Sequence, residues 1–145
     1  MDIIAKAHMF GFKKHKGQKD DNGEDYFWAH CDGVAEILKS ITIDKNLICA
    51  GFLHDTLEDT DTTYDELVRE FNKDIADLVN EVTQEGKKDN YGYYFPRLKT
   101  QRGIILKFAD RLSNISRMQA WDDKRKAQYL RRSKFWKDGS ELLKP

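Results

Sequence analysis

Asp44-Lys45-Asn46-Leu47-Ile48-Cys49-Ala50-Gly51-Phe52-Leu53-His54-Asp55 begins on a helix-capping residue, continues through apolar positions and ends on an imidazole and a carboxylate. The pattern predicts a helix opened by Asp44 that buries Leu47, Ile48, Ala50, Gly51 and Leu53 and delivers His54-Asp55 at its far end. Helical periodicity extends over nearly the whole chain. Only 2 prolines and 9 glycines interrupt it, and no run alternates β-branched with polar residues as a half-buried strand would.

Upstream, residues 2–15 place Ile3, Ile4, Ala7 and Phe10, with His15, on one side of a first helix, and 16–25 is a polar loop by composition. A second helix is predicted over 27–40, burying Val34, Ile37 and Leu38. Downstream, Thr63-Tyr64-Asp65-Glu66 has capping-box spacing and starts a helix to Phe71. Asp74 to Thr83 carries Ile75, Leu78, Val79 and Val82 at helical spacing, and 84–92 again reads as a loop. A long helix is expected from there to Ser116, with Pro96 in its first turn, where proline is tolerated. Two further helices fit 122–131 and 132–143. With no repeat, low-complexity stretch or linker, residues 1–145 are expected to form one domain, all-α, as a compact helical bundle.

Composition bounds the function. The chain of 145 residues is 39% hydrophobic and 34% charged, polar for a globular protein, but 8 Phe, 6 Tyr and 3 Trp argue against disorder. The 25 basic and 25 acidic residues cancel, so no global field draws the chain to nucleic acid or a membrane. Charge is nonetheless segregated: 54–81 is acidic and 97–137 is rich in Lys and Arg. Cys31 and Cys49 make no disulfide framework, and neither a signal-peptide core nor a membrane-length apolar run is present. The expectation is a reduced, cytoplasmic protein.

His54-Asp55 supplies one nitrogen and one oxygen donor of the kinds that suit a divalent metal. Glu58 and Asp59 follow on the next turn, facing the same side as Asp55. Upstream lies His30. Downstream, Asp110 interrupts the apolar helix Leu106-Lys107-Phe108-Ala109-Asp110-Arg111-Leu112-Ser113-Asn114. Taken singly, each has a plainer explanation: Asp110 as an ion-pair partner of Arg102 or Arg111, His30 as a core histidine, Glu58 and Asp59 as a solvated acidic turn with Asp61.

Together, the order His…His-Asp…Asp resembles the ligand order of the HD phosphohydrolase superfamily. Leu53-His54-Asp55-Thr56-Leu57-Glu58-Asp59-Thr60 is similar to the L-H-D-T-V-E-D-T motif of its alarmone hydrolase branch, the RelA/SpoT type and small stand-alone relatives. Lys107 to Asn114 is similar to that branch's K-L-A-D-R-L-x-N. His15-Lys16-Gly17-Gln18, with Gly23 and Tyr26 before His30, resembles H-x-G-Q…G-x-P-Y…H, and Tyr91, Tyr94 and Arg97 resemble Y-x-x-Y-x-x-R. The resemblance implies an HD-domain helical bundle in which His30, His54, Asp55 and Asp110 hold one metal, typically Mn²⁺, another divalent cation being the alternative. Two imidazoles and two carboxylates leave positions open for water and substrate oxygen, unlike a closed structural zinc site. The resemblance further implies Glu58 and Asp59 as the acid/base pair and Asn114 as a ribose contact.

Substrate recognition is where the chain departs from that pattern. Lys19-Asp20-Asp21 stands where the family carries Arg-Lys, Asp25 replaces the proline before the tyrosine, and Cys31 replaces the proline after the metal histidine. Lys13, Lys14, Lys16, Lys19, Arg97 and Arg117 are candidates for phosphate contacts, and Tyr91, Tyr93 and Tyr94 for stacking on a base or for helix packing. The basic, aromatic stretch from Lys124 to Lys137 reads as an amphipathic segment that packs Tyr129, Leu130, Phe135 and Trp136, with nucleic-acid contact as the other reading. The expected activity is removal of the 3′-pyrophosphate from ppGpp or pppGpp. Its rivals are an HD phosphohydrolase of another nucleotide or a phosphorylated cofactor, and a non-catalytic nucleotide or nucleic-acid binder. No nucleic-acid or membrane partner and no synthetase domain are expected, and a homo-oligomer is an expectation of the resemblance alone.

Overall fold

The structure, a computed structural model, describes residues 1–84, 88, 89, 92, 93, 97–136 and 141. In chain order they form α1 (Ile3–Lys14), a π-helical turn (Phe27–Cys31) running directly into α2 (Asp32–Ile41), α3 (Lys45–Leu53), α4 (Thr56–Asp59), α5 (Tyr64–Glu70) and α6 (Lys73–Val82). A minimal antiparallel ribbon of β1 (Lys88–Asp89) and β2 (Gly92–Tyr93) precedes α7 (Gln101–Ile115) and α8 (Asp123–Arg132). The architecture is all-α, with the ribbon as its one sheet among the described residues.

The helices start where short polar side chains can satisfy the first free amides. Asp44 accepts from the Leu47 amide at 3.1 Å, Thr63 from Glu66 at 3.1 Å, Asn72 from Ile75 at 2.8 Å, Thr100 from Gly103 at 3.0 Å and Asp122 from Arg125 at 2.7 Å. Helix α3 has no polar face from Leu47 onward, so it takes the centre: residues 47 to 53 are all buried. Helices α1, α2, α6 and α7 pack around it. Burial of side chains such as Leu38, Phe52 and Leu53 contributes roughly 1.5–3 kcal/mol each. Gly51 makes the α2–α3 crossing tight: a Cβ there would meet Leu38 Cδ1 at 2.7 Å and Ala35 Cα at 3.2 Å.

Three expectations need correction. The long helix does not start near residue 92. Helix α7 begins at Gln101, because Glu81 of α6 accepts from the amides of Lys99 and Thr100 at 2.8 and 2.7 Å and holds that segment extended. Residues 88, 89, 92 and 93, placed in a loop and at the start of that helix, pair as the ribbon instead, and Pro96 lies outside the described residues. The helix expected over 132–143 is not found in its first part. Helix α8 ends at Arg132 and Ser133 to Trp136 turn away from it, bringing Phe135, 2% exposed, edge-on to Phe108 of α7 at 5.0 Å. The aromatic residues of this stretch thus act mainly in packing, although Leu130 is 51% exposed rather than covered. Residues 137–140 and 142–145 lie outside the description. No helix among the described residues is long and apolar enough to cross a membrane.

Candidate metal centre and adjoining cleft

Four side chains from three regions of the fold converge at the C-terminal end of α3. His30 comes from the π-helical turn, His54 and Asp55 from the end of α3, and Asp110 from the middle of α7. One donor atom from each lies within 4.8 Å of all the others. His30 Nε2 is 2.9 Å from Asp110 Oδ1 and 3.4 Å from Asp55 Oδ2. His54 Nε2 is 3.1 Å from Asp55 Oδ2 and 3.3 Å from Asp110 Oδ1, and the two Nε2 atoms are 3.1 Å apart.

The far side of each ring is already committed. His54 Nδ1 donates to the Gly51 carbonyl at 2.8 Å. A carbonyl can only accept, so in the neutral ring Nε2 carries the lone pair. His30 Nδ1 contacts Ser113 Oγ at 3.0 Å. Asp110 is likewise held from behind: buried Lys107 donates to its Oδ2 at 2.7 Å, leaving Oδ1 for the cluster. The Tyr26 hydroxyl donates to Asp55 Oδ2. Orienting partners of this sort are what metal ligands require, and the donor set, two nitrogens and two hard oxygens facing one point, fits a divalent metal ion. Neither arginine proposed as a plainer partner for Asp110 takes that place. Arg102 binds Asp44 and Asp74 at 2.9 Å, and Arg111 contacts the Tyr129 hydroxyl at 3.5 Å.

Electrostatics of the four groups are dominated by burial and by one another. Burial disfavours the His54 imidazolium, but Asp55 and Asp110 outweigh it and hold its pKa well above the ordinary value. For Asp55, burial is outweighed by His54 and His30, which draw the carboxyl well below its usual range. For Asp110, burial is outweighed by Lys107 first and then by the two histidines, with the same result.

Glu58 and Asp59 form the next turn, α4. Burial, with Asp55 adding to it, pushes both carboxyls above their ordinary values even though their outer atoms reach solvent. Glu58 accepts from the Gln84 amide, and Gln18 donates to Asp59 at 3.3 Å. Gln18 reaches Asp59 because Gly17 turns the chain in the left-handed region, φ 87°. Buried His15 then holds the Gln18 side-chain oxygen at 2.8 Å.

A cleft of about 660 Å³ opens beside Asp59. Gln18, Lys19, Asp20 and Asp21 line one wall; Asn114, Arg117, Trp121, Arg125 and Tyr129 line the other. Asn114 and Lys19 were both read from the sequence as substrate contacts, and the structure brings both to this cleft. Lys16 and Arg97 do not line it: Lys16 is exposed and Arg97 donates to Asn80 at 3.1 Å. Tyr91 lies outside the described residues. Arg117, also a candidate from the sequence, lines the cleft. Sequence reasoning missed Trp121 and Arg125 as cleft residues, because nothing in their spacing shows that the α7–α8 turn folds back over the 18–25 loop. It also missed Lys107, whose burial beside Asp110 was legible only as a cation inside an apolar helix stretch.

Known proteins are similar to this chain in sequence and in fold. A family model described as HD domain matches residues 7–92. Over 98% of its length the chain is 35% identical to a protein of Aquifex aeolicus named guanosine-3′,5′-bis(diphosphate) 3′-pyrophosphohydrolase, of which it covers 20%. Over 99% of its length it is 30% identical to a protein of Arabidopsis thaliana named probable GTP diphosphokinase RSH3, chloroplastic, of which it covers 21%. The chain thus spans about a fifth of the length of these curated relatives. A solved structure of a metazoan ortholog of SpoT, described as hydrolysing ppGpp and having a role in starvation responses, superimposes with a TM-score of 0.77 at 26% identity, over 92% of this chain and 83% of that one. The chain belongs to the HD domain family.

Proposed function

We propose that the chain is a metal-dependent phosphohydrolase that removes the 3′-pyrophosphate from guanosine 3′,5′-bis(diphosphate) or its triphosphate counterpart, in the cytoplasm. The observation that carries this reading is the convergence of His30 Nε2, His54 Nε2, Asp55 Oδ2 and Asp110 Oδ1 within 4.8 Å, with two carboxyls of raised pKa on the following turn. The names borne by the relatives supply the substrate class.

His30, His54, Asp55 and Asp110 would hold the metal, with Mn²⁺ as the ion proposed. When bound, such an ion acidifies water and offsets charge on a phosphoryl oxygen. In the reaction one water is consumed, the bond between the ribose 3′-oxygen and its phosphorus breaks, and the 3′-hydroxyl gains a proton. Glu58 and Asp59 manage that proton. Their raised pKa values bring them closer to neutrality, where a carboxylate is a more effective base. Gln18 fixes the orientation of Asp59, Tyr26 that of Asp55, and Lys107 that of Asp110. Asn114 accepts from Arg117 at 2.8 Å, which leaves its amide NH₂ free to meet a ribose hydroxyl. Arg125 and Lys19 supply positive charge on opposite walls of the cleft, and Trp121 and Tyr129 offer ring faces for a base.

A second reading, hydrolysis of a less highly charged nucleotide, is favoured by one observation: Asp20 and Asp21 occupy the wall where the resemblance leads one to expect cations. A single panel decides between them. Purified protein with Mn²⁺ is incubated with ppGpp, pppGpp and ordinary nucleoside phosphates, beside Asp55→Ala and Glu58→Gln variants. Release of pyrophosphate and GDP from ppGpp, lost in both variants, is expected. Turnover of other nucleotides alone removes the alarmone assignment, and turnover of none removes the enzyme.

A further inference from the structure

The two carboxylates of the acidic loop are built differently. Asp20 is saturated: its Oδ1 accepts from the amides of Asn22 and Glu24 at 2.9 Å each, and its Oδ2 accepts from Arg117 at 2.9 Å, with the side chain only 7% exposed. Arg117 passes the constraint on to Asn114. This part of the wall is fixed, and Arg117 is committed to it. Asp21 stands at the rim, its side chain 64% exposed, paired with Arg125, itself 47% exposed. The Arg125 guanidinium also lies 3.9 Å over the Trp121 ring, so stacking keeps it in place when the ion pair opens.

An exposed ion pair of this kind contributes little to folding, because water and salt screen it and two flexible side chains must be ordered to make it. Its effect on a ligand is different. A phosphate that reaches for Arg125 must displace Asp21 or tolerate it, and like charges a few ångströms apart repel. Asp59 adds a further negative group on the same side and Lys19 a positive one, so the cleft away from the metal donors is close to balanced rather than basic.

We propose that Asp21 is a specificity-determining residue, a counter-anion on the cleft rim that competes with ligand phosphate for Arg125. It makes affinity rise less steeply with phosphate charge than Arg125 alone would give. The inference rests on the reading of this cleft as a nucleotide site, and it names what sets that site's tolerance for charge.

The test is calorimetric binding of guanosine, GDP and inorganic pyrophosphate to wild type and Asp21→Asn at fixed free Mn²⁺, at low and high salt. The variant should bind GDP and pyrophosphate about three- to tenfold more tightly at low salt. The gain should shrink as salt screens the rim, guanosine should bind unchanged, and the gain should vanish in Asp21→Asn combined with Arg125→Met. Unchanged affinity for both anions, an equal change for guanosine, or a gain that survives loss of Arg125 would overturn the proposal. Hydrolysis of ppGpp by wild type, measured in parallel, separates the two claims. Turnover with no tightening in Asp21→Asn removes this inference alone, whereas tighter pyrophosphate binding without turnover of any nucleotide removes the functional reading alone.

Discussion

Glu81 offers the sharpest quantitative test of how the fold sets up the site. It projects from α6, 8% exposed, and caps the start of α7: Oε1 accepts from the Lys99 and Thr100 amides at 2.8 and 2.7 Å, and the Thr100 hydroxyl contacts both carboxylate oxygens at 3.0 and 2.9 Å. Replacing it with alanine leaves two amides at a helix N-terminus without their acceptor. Hydrogen bonds to a charged group contribute about 1.5–3 kcal/mol each, and the desolvation of Glu81 recovered on its removal offsets part of that. The net expectation for Glu81→Ala is a loss of about 3–5 kcal/mol, or a fall in Tm of roughly 10–15 °C for a chain of this size. Glu81→Gln keeps an oxygen for the amides and should lose about a third as much. The assay is thermal unfolding followed by circular dichroism, with residual phosphohydrolase activity measured below the transition, since α7 carries Asp110 and Asn114. A Tm within about 2 °C of wild type for Glu81→Ala, or equal damage from Gln and Ala, would refute the capping argument.

Other expectations follow from the same geometry. Gly51→Ala, which forces a Cβ to 2.7 Å from Leu38 Cδ1, should destabilise the α2–α3 crossing by about 1–3 kcal/mol in chemical denaturation; a neutral effect would show that the crossing relaxes freely. Asp110→Ala and His54→Ala should each abolish stoichiometric Mn²⁺ uptake in equilibrium dialysis, and a variant that still binds one ion would remove its residue from the donor set. With Glu58 as the proposed base, its raised pKa should shift the acid limb of the pH–rate profile upward from that of an ordinary glutamate. Glu58→Gln should lower kcat by about 10²–10⁴, and an unchanged acid limb in that variant would assign the proton elsewhere. In metal-free protein, Asp55 and Asp110 contribute stability above the ordinary aspartate range that is lost as pH falls through their depressed values. His54 contributes stability below its ordinary pKa that is lost as pH rises through its raised value. Urea melts across pH with a chelator present should therefore show a maximum between these limits, and a flat profile would contradict the coupling.

Where local chemistry decides an element, the sequence was sufficient. Asp44 and Thr63 were readable as caps because capping is a contact within one turn, and α3 was readable as buried because it has no polar side to present to water. That His30, His54, Asp55 and Asp110 belong together was expected from the resemblance of their order to that of the HD family, although their approach to within 4.8 Å was not legible. What the sequence concealed depends on contacts distant along the chain. The start of α7 is set by Glu81, on a different helix, so periodicity alone ran the helix too far upstream. The cleft wall of Arg117, Trp121 and Arg125 exists only because a turn after α7 meets the loop at 18–25, a pairing across roughly a hundred residues that no local pattern encodes.

The placement of the metal donors also bears on how the protein comes apart. His30 and Asp110 belong to segments far apart along the chain, and an ion bound by both, with His54 and Asp55 between them, would act as a crosslink closing two long loops at once. Closing a loop of that length by a covalent bond restricts the unfolded chain by about 4 kcal/mol, and a tightly held ion approaches the same restriction for as long as it stays. Loaded protein should accordingly resist proteolysis as one unit across the segments that carry the donors, the π-helical turn, α3 and α7, and a chelator should loosen them together rather than the site alone.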